Sequence, residues 1–212
     1  QLAEMMVGRE LAHATHHGFV RDRVVLEVRD LSRGTAVRNA SFSLREGEVL
    51  CIAGLVGSGR TELMRLVAGV DRADAGEVLV NGRPVPGDFP RQRIAAGLGL
   101  LPEERKRDGI VTHRPVASNI GLPAMRRFSR FGLIRANRLK ARSEDLMRDV
   151  QLRPLAVDRP IGSFSGGNQQ KAIIGRWLAA DTRIFLFDEP TRGIDVGAKA
   201  DIYGLIERLA QE

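Results

Sequence analysis

Short apolar runs broken by turn signals fill the first half of the chain. VVLEV (Val24–Val28) is compact and β-branched, and ASFSL (Ala40–Leu44) alternates apolar with polar, so each predicts a strand. REGEVLCIAG turns at Glu46-Gly47 into an apolar stretch that predicts a third strand, ending at Gly54. TELMRLVAG repeats apolar residues at Leu63, Leu66 and Val67, the spacing of a helix face, with Gly69 as its stop. EVLVNGRPV contains Asn81-Gly82, a strong two-residue hairpin signal, and LGLLPE (Leu98–Glu103) predicts a further strand.

The second half changes period. From about Pro115 to Gly162 the pattern is Arg-rich and mainly helical, with Leu139, Leu146 and Val150 on one face. SFSGGNQQKAIIGRWLAA then predicts a helix and RIFLFDEP a buried strand. A final helix carries Ile202, Leu205, Ile206 and Leu209 on its inner side. No internal repeat is seen.

Composition narrows the class. At 212 residues and 43% apolar, the chain can bury a substantial core. No apolar stretch approaches the length of a membrane span. The start, QLAEMMVGRELAHATHHGF, has no apolar signal region and no initiating Met, and reads as the interior of a longer polypeptide. Residues 1–22 read as a linker, and the His13, His16 and His17 cluster has no further ligands to complete a metal site, so it reads as a solvated tail. The single Cys51 excludes an intramolecular disulfide and fits a reducing compartment; its apolar neighbours predict a buried, inert thiol. The net charge is +7, and only Lys106, Lys140, Lys171 and Lys199 among 33 basic residues are lysines. That leaves open nucleic acid, anionic lipid, a phosphorylated ligand, or simply an Arg-rich protein with an acidic partner. No aromatics interleave with the basic residues, as a single-strand stacking platform requires.

Three segments carry chemistry. GLVGSGRTEL (Gly54–Leu63) has the form G-x-x-x-x-G-Arg-Thr, one residue from a phosphate-binding loop that has Lys at the seventh position. Gly57 and Gly59 let backbone N–H groups turn onto phosphate oxygens, and Thr61 offers a hydroxyl to Mg2+. A tight strand-to-helix turn without a ligand is the plain alternative. IFLFDEP brings Asp188 and Glu189 to the end of a strand, where open α/β sheets place ligands. Asp188 there would hold Mg2+ through water and Glu189 would orient or deprotonate an attacking water, the plain alternative being an acidic turn before Pro190. FSGGNQQK (Phe164–Lys171) opens a helix with a hydroxyl and bare amides at the positive dipole end, a surface for an anion.

That third segment resembles the Leu-Ser-Gly-Gly-Gln signature of ATP-binding-cassette proteins, with Phe164 and Asn168 as variants. The resemblance extends over nearly the whole chain from Val24. MVGREL, GLVGSGRTEL, LPEERKRDG, SGGNQQK and DEPTRGIDVGAK together are similar to the C-terminal cassette of bacterial monosaccharide importers of the ribose/galactose/xylose type. Their ATPase subunit carries two cassettes on one polypeptide. The fold this implies is α/β: a P-loop NTPase (RecA-like) core with an antiparallel β subdomain and a helical subdomain at about 115–165. It would occupy residues 23–212 and follow a linker, 1–22, from a preceding cassette.

The resemblance also implies ATP and Mg2+ as ligands and assigns roles. Gly54, Gly57, Ser58, Gly59, Arg60, Thr61 and Glu62 surround the phosphates. Thr61, Asp188 and Glu103 face the metal, and Glu189 and Glu103 serve the chemistry. Ser165, Gly166, Gly167, Asn168 and Asp195 face the ATP of a head-to-tail partner, the N-terminal cassette. VASNI (Val116–Ile120) resembles the start of the subdomain that touches membrane permease subunits. A periplasmic sugar-binding protein is the indirect partner, nucleic acid is not one, and the site of action is the cytoplasmic face of the inner membrane.

Departures qualify this. Arg60 keeps the charge but replaces a compact ammonium with a planar fork, and Glu103 stands where the family has glutamine. There it ligates the metal more tightly or repels the γ-phosphate. Adenine-stacking aromatics are not evident between Arg29 and Ala40. Together these imply a degenerate ATP site with slowed turnover that supplies its signature to the partner. The sequence ends at Glu212 before the family's next strands, which implies a C-terminal truncation. Two alternatives stay open: a non-hydrolysing nucleotide-binding assembly module, and a cassette ATPase acting on nucleic acid.

Overall fold

The structure is a computed structural model, and it describes residues 19–86 and 89–212. In chain order the strands are β1 (Val24–Arg33), β2 (Val37–Arg45), β3 (Ala75–Val80), β4 (Arg83–Pro84), β5 (Leu98–Leu101), β6 (Ser129–Arg130), β7 (Leu133–Ile134) and β8 (Ile184–Phe187). The helices are α1 (Arg60–Val67), α2 (Pro90–Ala95), α3 (Val116–Gly121), α4 (Ala136–Asp149), α5 (Gly166–Ala179) and α6 (Val196–Gln211). No described helix is long and apolar enough to cross a membrane. The histidines at 13, 16 and 17 lie outside the described residues.

The chain forms two compact units. One contains the described residues up to Leu100 together with 182–188 and 207–212. Its antiparallel sheet has the order β2-β1-β3-β4. Leu26 pairs with Leu44 on one side and Val80 on the other, and Val28 with Phe42 and Val78. Alternation therefore sends Leu26, Val28, Val78 and Val80 to one face, where all are buried. The β3–β4 hairpin turns at Asn81-Gly82, both at positive φ, as the sequence predicts. Helix α1 lays Leu63, Leu66 and Val67 into the same apolar cluster, which also takes Leu98 of β5 and Ile184 and Leu186 of β8. Its end is a Schellman motif: Gly69 N–H donates to Leu66 O at 3.0 Å and Val70 N–H to Arg65 O at 2.9 Å. β5 and β8 pair with each other, and the amides of Arg183 and Ile184 both donate to Gly97 O.

Two expectations fail in this unit. Residues 48–55 belong to no strand, and Val49 and Leu50 are exposed. A strand needs a neighbour to accept and donate along its edge, and no described strand pairs with this stretch. Cys51, expected to be buried, is accordingly exposed and free.

The other described unit contains 101–181 and 189–206. Here α3, α4 and α5 pack on one another. Leu139, Leu146 and Val150 are buried as their shared face predicts, beside Met147, Ile161, Ile173 and Ile174. The stretch expected to be mainly helical also holds a hairpin: Arg130 pairs with Leu133 across Phe131-Gly132, both at positive φ. Phe131 and Leu133 stand out from it, at 90% and 76% exposure. On α6, Ile202 and Leu205 are buried, while Ile206 and Leu209 are half-buried.

Candidate functional site

The loop Gly54–Thr61 is shaped by its backbone. A turn closes where Ser58 N–H donates to Leu55 O at 3.1 Å. Gly59 caps α1 at φ 86, a left-handed conformation, and a Cβ there would sit 2.2 Å from Ala36 O. Only glycine satisfies both constraints. Gly57 is also left-handed, and a Cβ there would meet nothing within 4 Å, so the loop is open at that point. Packing fixes Gly54 instead, since a Cβ would lie 2.4 Å from Ser58 Oγ. Arg60 and Thr61 are half-buried on the first turn of α1, and Glu62 beside them is exposed. Gly59 makes no side-chain cap to this helix end, whose dipole favours negative charge.

The acidic pair follows β8. Asp188 is buried at 6% exposure, and Glu189 next to it is exposed at φ 48. β8 and α1 share one apolar cluster, so one core anchors both the phosphate-type loop and the Asp188 end of the strand. Among the described residues no three His, Cys, Asp or Glu gather as a metal centre. A lone carboxylate with a hydroxyl suits Mg2+, which takes one or two protein oxygens and completes its shell with phosphate and water. The loop, the cation of Arg60, the Thr61 hydroxyl and the buried Asp188 therefore fit a nucleotide phosphate with its metal.

Glu103 lies just after β5, and its carboxylate forms an ion pair with Arg192. Arg192 also reaches Glu104 at 3.3 Å. Arg105 donates to the carbonyls of Arg192 (2.7 Å) and Gly193 (3.1 Å) and to Gln169 Oε1 (3.2 Å). Sequence reasoning missed Arg105 and Arg192; the only signals for them are the charged run EERKRDG and the arginine after Glu189-Pro190-Thr191.

Ser165 is the N-cap of α5, its Oγ accepting from Asn168 N–H at 3.4 Å and from Asn168 Nδ2 at 3.1 Å. Asn168 Oδ1 in turn accepts from Arg153 N–H at 3.1 Å. Its two glycines admit a close neighbour: a Cβ on Gly166 would meet Arg105 Nη2 at 2.6 Å, and one on Gly167 would meet Ala198 Cβ at 2.6 Å. Asp195 is exposed and accepts from Ala198 N–H at 2.8 Å, capping α6. Ser165, Gly166, Gly167 and Asn168 thus share the start of α5, while Asp195 caps α6, whose Ala198 lies against Gly167.

The ABC transporter family profile matches residues 37–192. The chain is 45% identical, over 97% of its length, to a Rhizobium meliloti protein named as a ribose/galactose/methyl galactoside import ATP-binding protein. It is 44% identical, over its full length, to the ribose import ATP-binding protein RbsA 1 of Rubrobacter xylanophilus. It spans 42% and 43% of the lengths of these two proteins. Among solved structures, a nucleotide-free ATP-binding cassette from an ABC transporter superposes at TM-score 0.73 and 22% identity, covering 88% of this chain and 77% of that one. A dimeric cassette in a post-hydrolysis state, bound to ADP and Pi, gives 0.71 at 21% identity, covering 88% of this chain and 83% of its own. The fold is that of a P-loop cassette, and the chain belongs to the ABC transporter family.

Proposed function

We propose that this chain is a cassette that binds ATP with Mg2+ and couples ATP hydrolysis to import of a monosaccharide. The reading is carried by its 45% identity, across 97% of the chain, to a protein named for sugar-import ATP binding. The glycine-shaped loop ahead of α1 supports it, because its amides and Arg60 suit the β- and γ-phosphates. Thr61 and Asp188 would hold Mg2+, which neutralises phosphate charge when bound. Glu189 orients or deprotonates the attacking water. By this reading the working partners are an N-terminal cassette in the same subunit, membrane permease subunits and a periplasmic sugar-binding protein. The cassette sits on the cytoplasmic face of the inner membrane.

This half is the slower of two sites. Arg60 replaces the compact cation, and Glu103 is engaged with Arg192. Ser165, Gly166 and Gly167 cap the nucleotide of the partner cassette, with Asn168 and Asp195 beside them. Single-turnover hydrolysis by the intact protein tests the asymmetry: Glu189→Gln is expected to cost less than the equivalent change in the other cassette. Equal losses would defeat it, and absence of nucleotide binding at the Gly54–Thr61 loop would defeat the whole reading.

A further inference from the structure

The turn that carries Glu189 is held from several sides. Arg192 N–H closes it onto Glu189 O at 3.0 Å, and Gln170 Nε2 donates to Pro190 O at 2.9 Å. Arg105 holds the next two carbonyls, those of Arg192 and Gly193, while its Nε anchors on Gln169. Gln169 is itself buried and donates to Phe164 O at 2.9 Å. The Arg192 side chain completes the set by pairing with Glu103 and Glu104. These ties surround a residue in an unfavourable backbone conformation, because Glu189 has a Cβ and sits at φ 48. Such a conformation persists only where neighbours over-determine it.

Resting on the ATPase reading above, we propose that Arg192 is a positioning residue for the Glu189 carboxylate, and that Glu103 is its anchor rather than a metal ligand. The charges explain the choice. Two carboxylates, Glu103 and Glu104, face one guanidinium, so turning Glu103 toward a metal would leave Arg192 with only the longer contact to Glu104. A glutamine at 103 has no charge to hold Arg192, so the acidic residue and the arginine work as a pair.

The test uses the intact protein with Arg192→Ala, Arg192→Lys, Glu103→Gln and the double variant Arg192→Ala/Glu103→Gln. Because the pair is partly exposed, Arg192→Ala and Glu103→Gln should each lower kcat roughly two- to fivefold with KM for ATP unchanged. The double variant should lose no more than the worse single one. Arg192→Lys should keep most of the rate. Backbone amide exchange at Arg192, whose N–H closes the turn onto Glu189 O, should quicken by a similar factor, with α5 unaffected. Unchanged kcat and exchange in Arg192→Ala, additive losses in the double variant, or a shifted Mg2+ dependence in Glu103→Gln would each overturn the proposal. An intact wild type that hydrolyses no ATP but shows the coupled exchange would sink the ATPase reading and leave the lock standing.

Discussion

Arg176 and Asn119 are joined twice: the guanidinium donates to the Asn119 backbone carbonyl at 2.8 Å and to its Oδ1 at 3.1 Å. A third donation goes to Gly109 O. Asn119 Oδ1 also accepts from Val111 N–H, and its Nδ2 donates to the carbonyls of Val111, Arg114 and Pro115. The network ties α3 and the turn at Gly109 to α5. Burial pushes the guanidinium down from its ordinary value to about 10, so it keeps its charge at neutral pH. Arg176→Met would strand two buried carbonyls and is expected to cost roughly 2–3 kcal/mol in urea denaturation. A loss within the scatter of surface variants would show that water takes over those carbonyls.

Asp71 makes acid sensitivity measurable. Arg65 donates to both of its oxygens, at 2.8 and 3.0 Å, and Arg33 reaches it at 2.7 Å. The Arg65 hydrogen bonds, followed by those of Arg33, hold its carboxyl below the ordinary 3.8 against the opposing pull of burial. A depressed folded value means the stabilisation is complete above the unfolded value and is lost as pH falls through the folded one. Asp71→Asn should therefore lower stability by about 1 kcal/mol near neutral pH. The gap from wild type should close as pH drops below 3.8. A gap that persists in acid would assign the effect to shape rather than charge.

The two left-handed loop glycines should differ. Gly57→Ala meets no atom and pays only the conformational term, about 1 kcal/mol. Gly59→Ala adds a 2.2 Å approach to Ala36 O. It should cost clearly more, with at least about 2 kcal/mol lost in chemical denaturation. Equal costs would mean that the β1–β2 turn gives way freely.

Arg60 is the expected cation of the phosphate site. Arg60→Ala should weaken ATP binding by the intact protein roughly ten- to a hundredfold, the worth of one charge-assisted hydrogen bond. Arg60→Lys should bind at least as well as wild type. Calorimetric titration reads both, and an unchanged Arg60→Ala affinity would remove this residue from the site.

Much of this arrangement was legible in the sequence where local chemistry decides the shape. Asn81-Gly82 forces its turn, Gly69 closes α1, Ser165 caps α5, and the apolar alternation of β1 survives in its burial. What stayed hidden depends on distant neighbours. VLCIAG looks like a strand, yet strands exist by pairing and none of the described ones takes it. The hairpin at Phe131-Gly132 is only two residues per arm, too short to interrupt a helical periodicity, although Gly132 was a cue. Position alone suggests a metal role for Glu103, and nothing in a linear reading reveals its ion pair with Arg192.

Leu55 and Val56 stand 86% and 99% exposed at the tip of the loop, whose form comes from the glycines and Ser58. Their side chains are thus spectators, and a fluorophore hung on Val56→Cys, after Cys51 is replaced by serine, would watch occupancy without reshaping the cradle.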